Sequence, residues 1–203
     1  MGQYYKTVII AEESDSEKKI VTIDNDCAFI GWIGLKLMEH SYLNNEWTDA
    51  LAYLIYHHKV RVAHVGDYAN EFPQYELAYN DHVSRTPLNI RNIWGKDLYN
   101  DEGLLNRFDY SNKYLINWDK KLYIDFDKYK RKSTTPWSDE VYVCPFTLLT
   151  ALGNGRGGGD YYDEYPNAEI IGSWAWDSIS IEDSKPEDFA EYAIWFTEKV
   201  NED

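Results

Sequence analysis

Two β-rich segments, Gln3–Ala11 and Lys18–Asp24, flank the polar run EESDSE, a pattern that predicts a hairpin. Farther on, Trp47, Leu51, Leu54 and Ile55 recur at helical spacing, with Asn45 placed to cap a helix over Glu46–His58. Val60–Val65 is a continuous apolar run that ends at Gly66-Asp67 and reads as a buried strand. Residues 66–112 lack a clean period and predict a long decorated loop with short helices. A second hairpin is expected from Tyr114–Trp118 and Leu122–Phe126 around Asp119-Lys120-Lys121.

In the last third, Pro145 opens a short helix to Leu152, with Gly153 just past its end. Ile170–Trp176 and Ser178–Glu182 read as short strands. Ser184-Lys185-Pro186-Glu187 matches a capping box for one more short helix, and Tyr192–Phe196 reads as a last strand. Strands and helices do not alternate as in a parallel α/β fold, and no repeat or linker is visible. The expected architecture is a single α+β domain, residues 1–203, on a mainly antiparallel sheet with a few short helices.

Composition sharpens this picture in two ways. Eighteen tyrosines and eight tryptophans supply area for a core and for interfaces or ligand walls. The net charge of −15 is lopsided: residues 1–138 carry 17 basic and 20 acidic residues, while 139–203 carry 15 acids against Arg156, Lys185 and Lys199. Binding to a nucleic-acid backbone is not expected, because it rests on clustered Lys and Arg. The single basic cluster, Lys128–Lys132, reads as a solvated face, and the acidic segment suits a basic partner. Cys27 and Cys144 lack metal-ligand or redox spacing and read as small core residues. The polar start MGQYYK and the lack of an apolar run of about 18 residues predict a soluble cytoplasmic protein with no membrane partner.

The candidate chemistry centres on "TALGNGRGGGDYY", residues 150–162. Gly153, Asn154, Gly155, Arg156, Gly157, Gly158, Gly159 and Asp160 form a glycine-dense loop around one guanidinium. Gly153-x-Gly155-x-x-Gly158 has the dinucleotide-binding spacing. That motif needs a strand before it and a helix after it, whereas a helix and a polar turn are expected here. A glycine nest with one arginine is instead a candidate clamp for phosphate or carboxylate; the plain alternative is a flexible turn whose Arg156 pairs with Asp160 or Asp163. No HExxH, GxSxG or EF-hand pattern occurs, and no cofactor or metal is expected.

The stretches MGQYYK, GLKLMEHSY (34–42), VGDYA (65–69), YLINWDKKLYID (114–125), LTALGNGRGGGDY (149–161) and GSWAWD (172–177) resemble an uncharacterised family of small bacterial proteins carried by phages and mobile elements. The resemblance implies a protein that acts on host immunity or on takeover of the cell. It brings Lys36, His40, Asp67 and Trp174 into the candidate ligand-binding set beside the loop. The expected function is a non-enzymatic inhibitor of host defence. It would sequester a nucleotide-like small molecule or block a defence protein with its acidic face. The alternative is an enzyme acting on a nucleotide or phosphate ester, with His40, Asp67, Arg156 and Asp160 in one cleft. Oligomeric state is open.

Overall fold

The computed structural model describes residues 3–11, 19–23, 36–37, 41–80, 86–87, 92–93, 96–97, 99–100, 103–104, 106–129, 132–135, 138–157, 160–161 and 168–192. Its centre is a nine-stranded sheet. The strands are β1 (Tyr5–Ala11), β2 (Lys19–Ile23), β3 (Val60–Gly66), β4 (Thr86–Pro87), β5 (Tyr114–Asn117), β6 (Leu122–Asp125), β7 (Ala151–Leu152), β8 (Ser178–Glu182) and β9 (Ala190–Glu191). The spatial order is β9-β6-β5-β8-β3-β1-β2-β4, with β7 also paired to β3. Only β9 on β6, β4 on β2 and β7 on β3 are parallel; the other pairings are antiparallel. The fold is α+β on a mainly antiparallel sheet.

β3 organises the domain because its sequence, VRVAHVG, is buried on both faces. One of its edges pairs with β1 along its whole length. The other edge is divided. Val60 and Arg61 pair with β8, while His64 and Val65 pair with β7, so the sheet forks there. Val62, between the two partners, accepts the Trp176 backbone N–H through its carbonyl at 2.8 Å.

Helix α1 (Glu46–Ile55) covers one face. Asn45 caps it as the sequence predicts, its side-chain oxygen accepting from Trp47 N at 2.9 Å, a contact of about 1 kcal/mol at such positions. The Trp47 ring meets His64 of β3 edge-on at 5.3 Å. The helix is shorter than the expected Glu46–His58, because His57 adopts φ 61° and its N–H goes to Ile181 of β8. Helix α2 (Gln74–Tyr79) covers the opposite face, where the Tyr79 hydroxyl donates to Val65 O and Lys6 lies over the Tyr79 ring. Much of the aromatic content is core: Phe108 packs edge-on with Tyr53, Tyr56 and Tyr110. Cys144 is buried as a free thiol, its pKa pushed up to about 12 by desolvation. Cys27 lies outside the described residues.

Three expected elements come out differently. Helix α3 (Pro145–Leu149) stops three residues early. The Thr150 hydroxyl turns back to Phe146 O, and Ala151-Leu152 extends to pair with β3. Gly153 therefore leaves a strand, at φ 82°, rather than ending a helix. Residues 170–176 are not a strand. A 3-10 turn at Ala168–Ile170 leads into successive turns closed by Ser173 N→Ile170 O and Ala175 N→Gly172 O, with Gly172 at φ 74° and Trp176 at φ 70°. The capping-box sequence at 184–187 makes no helix either. Ala190 N donates to Lys121 O, and pairing with β6 draws the chain straight into β9. β9 ends at Glu191; of the expected Tyr192–Phe196 strand only Tyr192 is described, and 193–196 lie outside the described residues.

The loop between β3 and β5 holds α2, β4 and two short ribbons, Asn92–Ile93 with Lys96–Asp97 and Tyr99–Asn100 with Gly103–Leu104. The basic cluster is not uniformly solvated. Tyr129 is buried with its hydroxyl on Val143 O, and Lys132–Thr135 forms a ribbon with Ser138–Tyr142. No helix among the described residues is long and apolar enough to cross a membrane.

The charge asymmetry of the sequence becomes interlocking of the two parts. Acids of the segment 139–203 meet cations from earlier in the chain: Asp177 with Lys120, Asp183 with Lys113, Asp188 with Lys121 and Glu191 with Lys128. Hydrogen bonding from Lys113 holds the Asp183 carboxyl below the usual range, and Lys121 does the same for Asp188. These pairs are solvent-exposed to different degrees and individually contribute little. Their arrangement nevertheless leaves the C-terminal acids less available as a free anionic face.

Candidate functional site

The glycine loop follows β7, and the loop Asp67–Phe72 follows β3, so both leave the carboxyl ends of two adjacent parallel strands. Crevices outside such ends are where open sheets bind ligands. Here the two loops and the turn at Ile171-Gly172 enclose a cleft of about 410 Å³, within the range of small-molecule sites. Leu152, Phe72 and Ile171 contribute apolar lining, and Gly153 and Gly155 line it without side chains. Glu71 and Arg156 are the charged residues that line it. The Arg156 guanidinium donates through Nη2 to Glu71 Oε1, with both side chains partly exposed.

The loop itself is closed from inside. The backbone N–H groups of Arg156 and Gly157 both donate to Asp160 Oδ2 at 2.8 Å, and the Tyr5 hydroxyl of β1 donates to Asp160 Oδ1 at 2.8 Å. Asp160 is buried. Burial, with Asp160 beside it, pushes the Tyr5 phenol far above its ordinary pKa. At the base of the loop, Asn154 makes two hydrogen bonds with the backbone of Tyr161: Nδ2 donates to its carbonyl at 2.9 Å, and Oδ1 accepts from its N–H at 2.8 Å. Two successive N–H groups converging on one oxygen make an anion nest. In this protein the nest already holds a carboxylate of its own chain.

The glycines answer to close approach. A Cβ at Gly157 would stand 2.9 Å from the backbone N of Gln3, and one at Gly153 would stand 2.6 Å from the Ala69 Cβ. Gln3, fully buried, lies between Gly66, Gly153 and Gly157. Gly155 is different, since no atom lies within 4 Å of its Cβ position. Gly153→Ala should therefore combine a left-handed φ with a backbone-level clash and lose about 2–3 kcal/mol. Gly155→Ala should lose only the φ cost of about 1 kcal/mol. Denaturant unfolding at pH 7 compares them. Equal losses would show that close packing is not what the glycines serve.

Of the sequence-predicted residues, Gly153, Asn154, Gly155 and Arg156 line the cleft, while Gly157 and Asp160 build the loop behind it. Gly158, Gly159 and His40 lie outside the described residues. Asp67 is bound to the N-terminal strand: Tyr4 N donates to its Oδ1 at 3.2 Å, and its own N–H goes to Tyr4 O. Lys36 is partly buried beside the core residue Leu37 and does not line the cleft. Trp174 is fully buried against Tyr192, also away from the cleft. A strand does precede the glycine loop, contrary to expectation, but the next described element after it is the 3-10 turn at Ala168–Ile170.

Sequence reasoning missed Glu71, Phe72, Ile171 and Gln3. Glu71 meets Arg156 across 85 residues of chain, from a stretch without periodicity, so no local signal marked it. Residues from separate parts of the chain gather here: Gln3 to Tyr5, Gly66 to Asp67, Gly153 to Gly157 with Asp160, and Gly172 lie together around the end of β3. No protein-family model, curated protein or solved structure matches the chain.

Proposed function

We propose that the protein is a non-enzymatic binding protein that sequesters a nucleotide-like small molecule in the cleft between the glycine loop and Glu71-Phe72. The observation that supports this reading is the cleft's placement and make-up. It sits at the carboxyl ends of two parallel strands and is lined by apolar side chains, glycines and one charged pair. Hydrogen bonding of the loop's described residues to Asp160 and Asn154 favours preformed capture. The resemblance to phage-borne proteins supplies the context in which such capture removes a signal of host defence. Blocking a defence protein through the acidic face has less support, because Asp177, Asp183, Asp188 and Glu191 are engaged with lysines of the same chain.

A thermal-shift screen against nucleosides, mononucleotides and cyclic nucleotides tests this. A ligand at 100 times its Kd stabilises the native state by about 2.7 kcal/mol, or roughly 5–10 °C for a chain of this size. The expected result is such a shift together with NMR perturbation of the Gly155, Arg156 and Ile171 amides. A shift without perturbation of those amides would move the site elsewhere, and no shift across the panel would remove the reading.

A further inference from the structure

We infer that the cleft recognises the hydrogen-bonding edge of a neutral planar ring, a nucleobase, through Glu71 and Arg156 acting together, and does not recognise phosphate. This rests on the reading of the cleft as a small-ligand site and specifies its chemistry.

The usual place for a phosphate on a glycine loop is the row of backbone N–H groups. Those of Arg156 and Gly157 are already directed at Asp160, a buried carboxylate locked by Tyr5. A phosphate arriving at the loop finds that nest filled by a like charge. What is left is the Arg156 guanidinium, and Glu71 already neutralises it. The protein as a whole carries −15. An anion must therefore share Arg156 with the like-charged Glu71 and enter against the field of the molecule.

A base edge meets no such obstacle. The Glu71–Arg156 contact joins Nη2 to Oε1. Among the described residues, neither Glu71 Oε2 nor the Nε and Nη1 hydrogens of Arg156 have a hydrogen-bond partner. The pair thus presents an acceptor and donors side by side at the cleft, held in place by their mutual charge. Nucleobases offer the complement, a ring N–H or amino donor next to a carbonyl or ring-nitrogen acceptor. Gly153 and Gly155 line the cleft without side chains, and Phe72 and Ile171 supply apolar contact for a ring. A cleft of about 410 Å³ suits a nucleoside.

The two modes differ in the sign of one mutation. In base recognition Glu71 is a ligand-binding group, so Glu71→Gln weakens binding, as does Arg156→Ala. In phosphate recognition Glu71 is a competitor, so Glu71→Gln strengthens binding. The experiment titrates the full chain and both variants with guanosine, adenosine, cytidine, uridine and inorganic phosphate at pH 7, following the Gly155, Arg156 and Ile171 amides by NMR. The expected result is binding of at least one nucleoside, weakened about tenfold or more in each variant, with no response to phosphate. Both side chains are partly exposed, so the variants should retain the wild-type amide spectrum elsewhere. Phosphate binding that tightens in Glu71→Gln would overturn the inference while leaving a ligand site in the cleft. No perturbation by any of the five probes would overturn both the inference and the binding reading beneath it.

Discussion

Replacing Asp160 by alanine is expected to lower the unfolding free energy by about 4 kcal/mol, a drop in Tm of roughly 8–16 °C for a chain of this length. The carboxylate accepts three hydrogen bonds, from Tyr5 Oη, Arg156 N and Gly157 N. Hydrogen bonds to a charged group contribute about 1.5–3 kcal/mol each, and a buried donor left without a partner carries a desolvation penalty of its own. Simple addition overstates the loss, because removing the buried charge also removes its desolvation cost. Tyr5→Phe should lose about 2 kcal/mol, since it takes one donor and leaves the nest intact. Asp160→Asn should fall between the two. Its amide oxygen can still accept from Arg156 and Gly157 while its NH₂ faces the Tyr5 oxygen. Chemical denaturation of Tyr5→Phe, Asp160→Ala and their double variant gives the Tyr5–Asp160 coupling, expected at about 1 kcal/mol or more for groups in direct contact. An Asp160→Ala loss under 1 kcal/mol would mean that the glycine loop is not held from inside, and the argument that its nest is filled would go with it.

That contact also shows why the fold was easier to read than the site. β1, α1, β3 and the β5–β6 hairpin each announce themselves within ten residues or so, by an apolar run, a period or a cap such as Asn45. β7 does not. It is two residues long, and it exists because Thr150 and Ala151 meet the open half of the β3 edge. The segment IIGSWAW has β-rich composition, yet Gly172 and Trp176 take left-handed conformations and the chain turns repeatedly. Competition between local propensity and tertiary pairing decided both cases. The loop at 153–160 was legible as unusual, and its Gly153 and Gly157 do mark close approach. What approaches is Ala69 at Gly153 and Gln3 at Gly157, and these partners lie 84 and 154 positions away in the chain. Arg156 could be seen to need an anion. Its side chain found Glu71 and its backbone found Asp160, and only the second of these was near enough in sequence to be considered.

Acidification should destabilise the protein through His64 before the ion-paired carboxylates Asp119, Asp183 and Asp188 take part. His64 is fully buried in β3, beneath Trp47. Its Nδ1 lies 2.6 Å from Thr150 Oγ1, whose own hydrogen goes to Phe146 O, so Nδ1 is the protonated nitrogen and donates to Thr150. Nε2 is the nitrogen that must accept a proton in acid, and among the described residues it has no hydrogen-bond partner. Desolvation lowers the imidazole pKa to about 3 from the ordinary 6.5, with no charged neighbour contributing. The folded pKa is the depressed one, so between pH 6.5 and 3 the unfolded chain binds more protons and stability falls as pH falls. Each pH unit in that window is worth about 1.4 kcal/mol. The loss is then about 2 kcal/mol by pH 5 and roughly 4–5 kcal/mol by pH 3, a large part of a typical domain's stability. Asp119, Asp183 and Asp188, whose folded pKa values are lowered from an ordinary 3.8, add their losses only as pH falls through that value and below. Asp49, whose carboxyl is raised by burial, acts in the opposite sense and gains stability as pH falls, so the histidine is read as the difference in slope between the wild type and a His64 variant from pH 6.5 to 5. In His64→Gln, whose amide can still donate to Thr150, the unfolding free energy from urea titrations should be lower at pH 7 but should no longer fall between pH 6.5 and 5. The slope is the diagnostic quantity, because the height also reports packing against Trp47. An unchanged slope in the variant would place the acid sensitivity elsewhere and leave His64 a neutral filler of the core.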